Sequence, residues 1–199
     1  MSEPRDASTT TSGDAARRFE VAFTEVAPAL FAWAELRIRP QLRVRLEPQD
    51  LVQEVWVRGM RSFARFDERE SSFRAWIFRI GKNVMLEALR TLGRESNTPQ
   101  NWSPTTKLLA LEGLPQSVTS ITQRLSRDES VRAFVTHVEG LEEEEKMVLL
   151  LCGLEEKSCA EAGQTLGIGE EAVMKRWQRL RDRLRSAPFA RVILRDERA

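Results

Sequence analysis

The sequence is poor in the residues from which metal sites and disulfide frameworks are built. It contains two cysteines, Cys152 and Cys159, and one histidine, His137. No zinc-ligand spacing can be assembled from so few residues, and a disulfide framework is not expected. Patterns typical of a nucleophile–base pair, a glycine-rich phosphate loop or a carboxylate metal cluster are also missing. We therefore expect no enzymatic activity, metal, cofactor or small-molecule substrate.

Long apolar runs are missing as well. No N-terminal segment resembles a signal peptide, and no stretch is apolar enough to span a bilayer. We therefore expect a cytoplasmic protein without membrane insertion, whose thiols are reduced.

An excess of one sign of charge is missing overall, since 31 Lys and Arg nearly balance 30 Asp and Glu. Net charge therefore says nothing about a nucleic-acid partner. The distribution is more informative. Basic residues dominate between 175 and 195, where Asp182 is the only acid, and acids cluster elsewhere, as at residues 142–145.

Apolar residues recur at helical spacing through most of the chain, and no strand-like alternation of useful length occurs. The sequence therefore predicts an all-α fold of two small helical domains joined by a flexible linker. We expect a disordered N-terminus over 1–16, a first domain over 17–94, a linker rich in Pro, Ser and Thr over 95–125, a second domain over 126–187 and a tail over 188–199.

Within the first domain the pattern predicts three helices. The first covers residues 17–45, with a kink or break at Pro28. The second covers residues 50–66. The third follows a cap at Ser71 or Ser72 and ends near residue 92. In the linker we expect a helical turn over 108–111, and in the tail a short docking helix.

The second helix has an apolar face that must be core and a polar face that contains Asp50, Gln53 and Glu54. The polar face has two interpretations that spacing alone does not separate. It is either simply solvated or a docking face for a basic partner helix.

The third helix has a basic side with aromatic residues close by. The basic side contains Arg79, Lys82, Asn83 and Arg90; Phe66, Phe73, Trp76 and Phe78 flank it. Arg and Lys can neutralise phosphates, Asn can bind a base edge, and aromatic rings can stack on unpaired bases at about 1–3 kcal/mol per base. The alternative is that the rings are core, which we favour for Phe73.

Residues 157–184 have the pattern of a helix-turn-helix. Ser158 can cap a first helix, Gly167 supplies a turn that needs positive φ, and Gly169 can cap a second helix. In the second helix Met174, Lys175, Gln178 and Arg179 face outward, with Arg176 at the flank. Such a helix enters the DNA major groove. The alternative is an ordinary helical hairpin with a solvated basic face.

These motifs resemble bacterial RNA polymerase sigma factors of the extracytoplasmic-function (ECF) group. DLVQEVWVRGMRSFARFD followed by SFRAWIFRIGKNVMLEALR resembles the family's region 2. LEEEEKMVLLLCGLEEKSCAEAGQTLGIGEEAVMKRWQRLRDRL resembles region 4. The sequence departs from the family pattern at Gly163, where a larger residue is usual, at Gly169, where a capping Ser is common, and at Met174, where a basic residue is common.

The resemblance implies a role for each group of residues. Asp50, Gln53 and Glu54 would bind core RNA polymerase. The −10 promoter element would be melted and bound by Phe66, Phe73, Trp76, Arg79, Lys82, Asn83 and Arg90. The −35 element would be bound by Met174, Lys175, Arg176, Gln178 and Arg179.

The function implied is that of an ECF sigma factor. Such a protein binds core RNA polymerase, directs it to specific promoters and assists promoter melting. Its partners would be the polymerase, promoter DNA in duplex and melted form, and an anti-sigma factor. Two alternatives stay open: a stand-alone helix-turn-helix regulator, and a sigma-like adaptor that does not bind promoters.

Overall fold

The structure is a computed structural model that describes residues 7–94 and 116–194. Side chains are described for residues 13–91, 118–190 and 193–194. Within these ranges the chain forms helices and no strands. The all-α class predicted from the periodicity is confirmed.

Over residues 7–94, the described part of the N-terminal half, the chain forms four α-helices and one 3-10 turn. They are α1 (Ala7–Arg37), α2 (Pro40–Arg43), α3 (Pro48–Ser62), the 3-10 turn Phe63–Arg65 and α4 (Phe73–Arg94). Helix α1 begins inside the segment expected to be disordered and continues through Pro28, so the expected break does not occur. It ends earlier than predicted because Pro40 starts a new helix. Ser72 caps α4 as predicted, since its hydroxyl accepts the Ala75 N–H at 3.0 Å.

Over residues 116–194, the described part of the C-terminal half, the chain forms six α-helices. They are α5 (Gln116–Arg127), α6 (Glu129–Glu139), α7 (Glu143–Val148), α8 (Cys159–Leu166), α9 (Glu170–Leu184) and α10 (Pro188–Ile193). A π-helical segment, Leu149–Leu154, extends α7. Helix α5 lies partly within the expected linker, so the linker does not extend to residue 125. Helix α10 is the short tail helix that the sequence predicts, whereas the predicted turn over 108–111 lies outside the described residues.

Helix α1 lies between the two halves of the molecule. It packs against α3 and α4 on one side and against α5, α6 and α10 on the other. Residues 29–34 (ALFAWA) are therefore buried all round the helix. A helix that is apolar on every side must be covered on every side. The buried residues of both halves form one hydrophobic cluster rather than two separate cores.

Candidate nucleic-acid interface

The polar face of α3 is covered rather than solvated. The Gln53 side-chain amide donates to the Thr122 hydroxyl of α5 at 3.3 Å. Asp50 is half-buried and accepts the Glu47 N–H at 3.4 Å, which helps to cap its own helix. We expected these side chains and Glu54 to face outward. The expectation was wrong for Glu54, which is 0% exposed and bonded to Arg58.

Glu54 has a structural role inside the N-terminal half. Its carboxylate accepts the Arg58 Nε–H at 2.7 Å, and Arg58 also binds Glu87 of α4 at 2.8 Å. Hydrogen bonds to Glu87 and Glu54 raise the pKa of the Arg58 guanidinium above its ordinary value. The three side chains tie α3 to α4, so the cation that balances the buried carboxylate lies within this domain.

Aromatic rings gather where the 3-10 turn meets the start of α4. Phe66 lies 4.9 Å from Trp76 and 5.6 Å from Phe73, measured between ring centroids. Phe63 stacks on Phe66 at 6.0 Å with the ring planes 13° apart. All four rings are half-buried, so their exposed edges remain available to a ligand. Phe78, whose placement the sequence left open, is core.

An open cavity of about 400 Å³ lies beside these rings. It is lined by Phe63, Phe66, Phe73 and Glu68 and, from α1, by Arg17, Arg18 and Glu25. The apolar ring faces suit a flat, unstacked base, and the two guanidinium groups share the lining with two carboxylates. Sequence reasoning did not find Phe63, Arg17 or Arg18. Arg17 and Arg18 belong to α1, which lies far from Phe63 in the chain, and no local motif connects the two segments.

The basic side of α4 is divided by its contacts. Arg79, Asn83 and Arg90 are exposed. Lys82 is half-buried, and its ammonium lies 3.3 Å from the Glu155 carboxylate of the C-terminal half. The structure therefore leaves three of the four predicted residues open to solvent and engages the fourth in an ion pair between the halves.

The helix-turn-helix has the local geometry that the sequence predicts. The Ser158 hydroxyl accepts the Glu161 N–H at 3.2 Å, and the Ser158 N–H donates to the Glu161 carboxylate at 2.9 Å. The Ser158 N–H, together with the Ser158 hydroxyl that donates to the same carboxylate at 2.8 Å, holds the pKa of Glu161 below its ordinary value. Gly167 has φ 69°, the left-handed conformation that ends α8. Gly169 then precedes α9 in extended conformation.

Gly163 is needed where the two helices of the motif approach each other. A Cβ at this position would lie 2.7 Å from the Ile168 carbonyl oxygen. Real Cβ atoms essentially never come so close to backbone. The residue that departs from the family pattern therefore permits a tight turn before α9.

Helix α9 presents most of the predicted −35 residues to solvent. Met174 is 51% exposed, and Lys175, Gln178 and Arg179 are exposed as well. Arg176 is half-buried and bonds to Glu144 of α7 at 2.7 Å. Val173, Leu180 and Leu184 face the core. The structure thus leaves four of the five residues on one open helical face. The fifth, Arg176, is engaged in an ion pair within its own domain.

Outside these surfaces, the described residues offer little for other chemistry. Burial raises the pKa of the Cys152 thiol to about 12, so this thiol is neutral at physiological pH. In the described ranges, no three His, Cys, Asp or Glu side chains are grouped to hold a metal ion. None of the helices described there is long and apolar enough to cross a membrane.

The geometry defines a helical protein with two candidate nucleic-acid-binding modules, and family models match both of them. Sigma-70 region 2 matches residues 23–95, and Sigma-70, region 4 matches residues 138–186. Together the two matches cover more than half of the chain. The chain belongs to the sigma-70 family of RNA polymerase sigma factors, in its extracytoplasmic-function group.

One curated relative is the ECF RNA polymerase sigma factor SigE of Mycolicibacterium smegmatis. It is 26% identical over an alignment of 146 residues, and the match covers 70% of this chain and 51% of the relative. The chain therefore spans about half the length of this relative. A solved structure of CnrH in complex with the cytosolic domain of CnrY shows 26% identity over 91% of this chain and 96% of that chain. Its TM-score of 0.36 is too low to support an argument about how the two halves are arranged.

Proposed function

We propose that the chain binds core RNA polymerase, directs it to specific promoters and helps to open the duplex. The observation that carries this proposal is the order and geometry of the two matched modules. A basic and aromatic surface on α4 comes first, and an exposed basic recognition helix, α9, comes second. The chemistry is binding rather than catalysis.

The α4 surface suits melted DNA of the −10 element. Arg79 and Arg90 can neutralise phosphates, and exposed Asn83 can donate to and accept from a base edge. The cavity beside Phe66 and Phe73 has room for an unstacked base. Unstacking costs a few kcal/mol per step, and stacking on the rings together with charge contacts offsets it.

The outward face of α9 suits duplex DNA of the −35 element. Lys175 and Arg179 can bind phosphates or guanine, and Gln178 can bind adenine. Met174 offers an apolar contact for a thymine methyl group. Arg176 is held by Glu144 in the free chain, so it contributes only if that ion pair exchanges for a phosphate.

Polymerase binding is assigned to the polar face of α3, as the family resemblance implies. Asp50 and Gln53 are half-buried, whereas Glu54 is fully buried. Because Gln53 is hydrogen-bonded to α5, full exposure of this face requires α5 to move. The proposed partners are core polymerase and promoter DNA; an anti-sigma factor stays a prediction from the resemblance.

Transcription of genomic fragments by core polymerase tests the proposal. With the purified chain added, we expect RNAs with defined 5′ ends that core polymerase alone does not produce. If no start site depends on the chain, the proposed function is wrong. A mobility shift of duplex DNA without polymerase would then distinguish a stand-alone regulator from an adaptor.

The double variant Arg79→Ala/Asn83→Ala tests the assignment of α4. Because both side chains are exposed, the fold should persist while promoter opening falls. Permanganate reactivity of promoter thymines measures opening, and a mobility shift of the polymerase complex measures closed binding. Arg132→Ala, an exposed position on α6, is the control. Equal loss of both readouts would assign these residues to general DNA affinity instead.

A further inference from the structure

The two cysteines of the chain lie against each other where the π-helical segment leads into the helix-turn-helix. Cys152 belongs to that segment, and Cys159 is the first residue of α8. The chain between them folds back on itself, since the Lys157 N–H donates to the Leu151 carbonyl oxygen at 2.9 Å. This return of the backbone brings the Cys159 thiol into hydrogen-bonding contact with the Cys152 thiol.

The two thiols are both reachable but are not equivalent. Each side chain is half-buried and carries a free thiol. Burial, reinforced by the neighbouring Cys159, raises the pKa of Cys152 to about 12, so Cys152 stays protonated. The thiolate rather than the thiol is the nucleophile. Cys159 is therefore the member of the pair that can react first, and Cys152 lies in position to react with the product.

The backbone on either side of this pair is packed against the recognition helix without free space. Next to Cys152, an added Cβ at Gly153 would lie 2.7 Å from Cη2 of Trp177 in α9. Within α8, an added Cβ at Gly163 would lie 2.7 Å from the Ile168 carbonyl oxygen, in the turn before α9. Close-packed interiors transmit a displacement rather than absorb it. A movement of either cysteine is therefore passed to α9.

We propose that Cys152 and Cys159 are a thiol switch, which a hydroperoxide oxidises to a reversible intramolecular disulfide that shifts α9 and weakens its contact with promoter DNA. The effect on promoter binding rests on the proposed function. The oxidation does not, because it can be measured in the free chain. The sequence has only these two cysteines, so an intramolecular disulfide can join no other pair.

The reaction consumes one hydroperoxide for each disulfide. The Cys159 thiolate attacks the terminal oxygen, the O–O bond breaks, and the departing alkoxide or hydroxide takes up a proton. The Cys152 sulfur then attacks the sulfur of the Cys159 sulfenic acid. The S–S bond forms, the S–O bond breaks, and the Cys152 proton leaves with the hydroxide as water. The two thiols lose two electrons, and the hydroperoxide gains them.

Formation of the bond has to move backbone. Heavy atoms in non-bonded contact lie roughly 3.5–4 Å apart, whereas the sulfur atoms of a disulfide lie about 2 Å apart. The π-helical segment or the start of α8 must take up the difference, and both contact α9. We therefore expect α9 to shift within its module, so that Gln178 and Arg179 no longer meet the DNA as they do in the reduced chain.

Mass spectrometry of the full chain tests the site. The reduced protein is treated with hydrogen peroxide, and the remaining thiols are alkylated with iodoacetamide. We expect the wild-type chain to become lighter by about 2 Da and to take up no alkyl group, and dithiothreitol to restore both thiols. Cys159→Ser should leave Cys152 free for alkylation. Cys152→Ala should instead form a sulfenic acid at Cys159 that dimedone traps, which reports the order of the two steps.

Transcription by core polymerase tests the consequence. Peroxide should lower the activity of the wild-type chain at its promoters about tenfold, the loss expected when one base contact is broken, and dithiothreitol should restore it. Cys159→Ser is the matched control. It keeps every residue assigned to DNA and polymerase, so it should be as active as the untreated wild-type chain and should not respond to peroxide.

The two measurements separate the possible failures. If peroxide leaves both thiols free, or links two chains on a nonreducing gel instead, Cys152 and Cys159 are not a redox pair. A disulfide that forms without lowering transcription, or an equal loss in Cys159→Ser, overturns the effect on α9. If the untreated chain supports no transcription, the proposed function fails, and mass spectrometry still decides whether the disulfide forms.

Discussion

Single atoms decide the geometry of the recognition module, as the glycines of the helix-turn-helix show. At Gly163 an added Cβ would meet backbone, the Ile168 carbonyl oxygen, which cannot rotate away as a side chain can. At Gly169, six residues later, an added Cβ has nothing within 4 Å. The two positions differ in packing although both are glycine in a family that commonly has larger residues there.

Gly163→Ala should therefore destabilise the fold by about 1–3 kcal/mol, because the turn must shift to admit the methyl group. Gly169→Ser should be neutral or stabilising by about a few tenths of a kcal/mol, since serine caps α9 at least as well as glycine. Urea unfolding followed by circular dichroism measures both. Equal stability of the two variants would mean that the approach of α8 to the turn is not tight.

Glu54 and Asp50 also differ in burial, although the sequence places them on one polar face. Glu54→Arg would set a second cation beside Arg58 in a buried site, and breaking a buried pair costs about 3–5 kcal/mol. Asp50→Arg removes only a cap contact, at about 1 kcal/mol. We therefore expect thermal unfolding assays to show that the Glu54→Arg variant has no stable fold.

Asp50→Arg should instead fold and lose co-purification with core polymerase. The acidic face would no longer offer a carboxylate at its accessible end. Arg61→Asp, an exposed charge reversal on the same helix, is the control for a nonspecific effect of charge. Normal co-purification of Asp50→Arg would remove Asp50 from the polymerase-binding set.

At the scale of a helix, α9 separates two arginines, of which the sequence placed Arg179 outward and Arg176 at the flank. Arg179 lies on the open face with Lys175 and Gln178. Arg176 bonds to Glu144, a member of the acidic run that begins α7. The acidic run and the basic helix therefore neutralise each other on one side of the module, and basic charge remains unpaired by α7 on the outward face.

Arg179→Ala should weaken promoter binding by the polymerase complex by about 1–3 kcal/mol if its guanidinium binds a base. The loss should then depend on the base at one −35 position. Arg176→Ala should cost less, since Arg176 is already engaged within the domain. Binding to a set of −35 point variants checks this; a uniform loss across the set would identify a phosphate contact instead.

At the scale of the molecule, α1 packs against both of the regions that the family models match separately. The matches to regions 2 and 4 are separate stretches of sequence, yet α1 contributes buried side chains to contacts with both. Phe19 packs against Phe23 and against the rings of Trp56, Phe63 and Phe73 in the N-terminal half, and residues 29–34 fill the space between the halves. One shared core implies one cooperative unit.

We therefore expect the free chain to unfold in a single transition. Tryptophan fluorescence and far-ultraviolet circular dichroism should report the same urea midpoint, because neither half keeps its core without α1. Glu155→Gln offers an internal comparison. Because it weakens the contact between the two halves, the urea midpoints reported by fluorescence and by circular dichroism should begin to differ. Two well-separated transitions in the wild-type chain would show that the halves fold independently.

The sequence predicted the elements whose signals are local. The Ser158 cap, the turn at Gly167 and the inward positions of α9 lie within a few residues of one another, so backbone chemistry and apolar spacing fix them. The Ser72 cap and the tail helix followed for the same reason. The extent of α1 and the start of α5 did not. The start of α5 is helical where Val118 and Thr122 are buried by distant residues.

By itself, then, the sequence determined the helical class, the order of the two modules and the outward face of the recognition helix. Only the tertiary structure decided that Glu54 is buried, that Arg17 and Arg18 share a cavity with Phe63, and that Glu155 binds Lys82. Helical periodicity assigns a residue to one side of its own helix. What lies against that side depends on contacts between distant residues, such as Glu155 with Lys82 and Trp33, 73 and 122 positions away, and no local pattern records them.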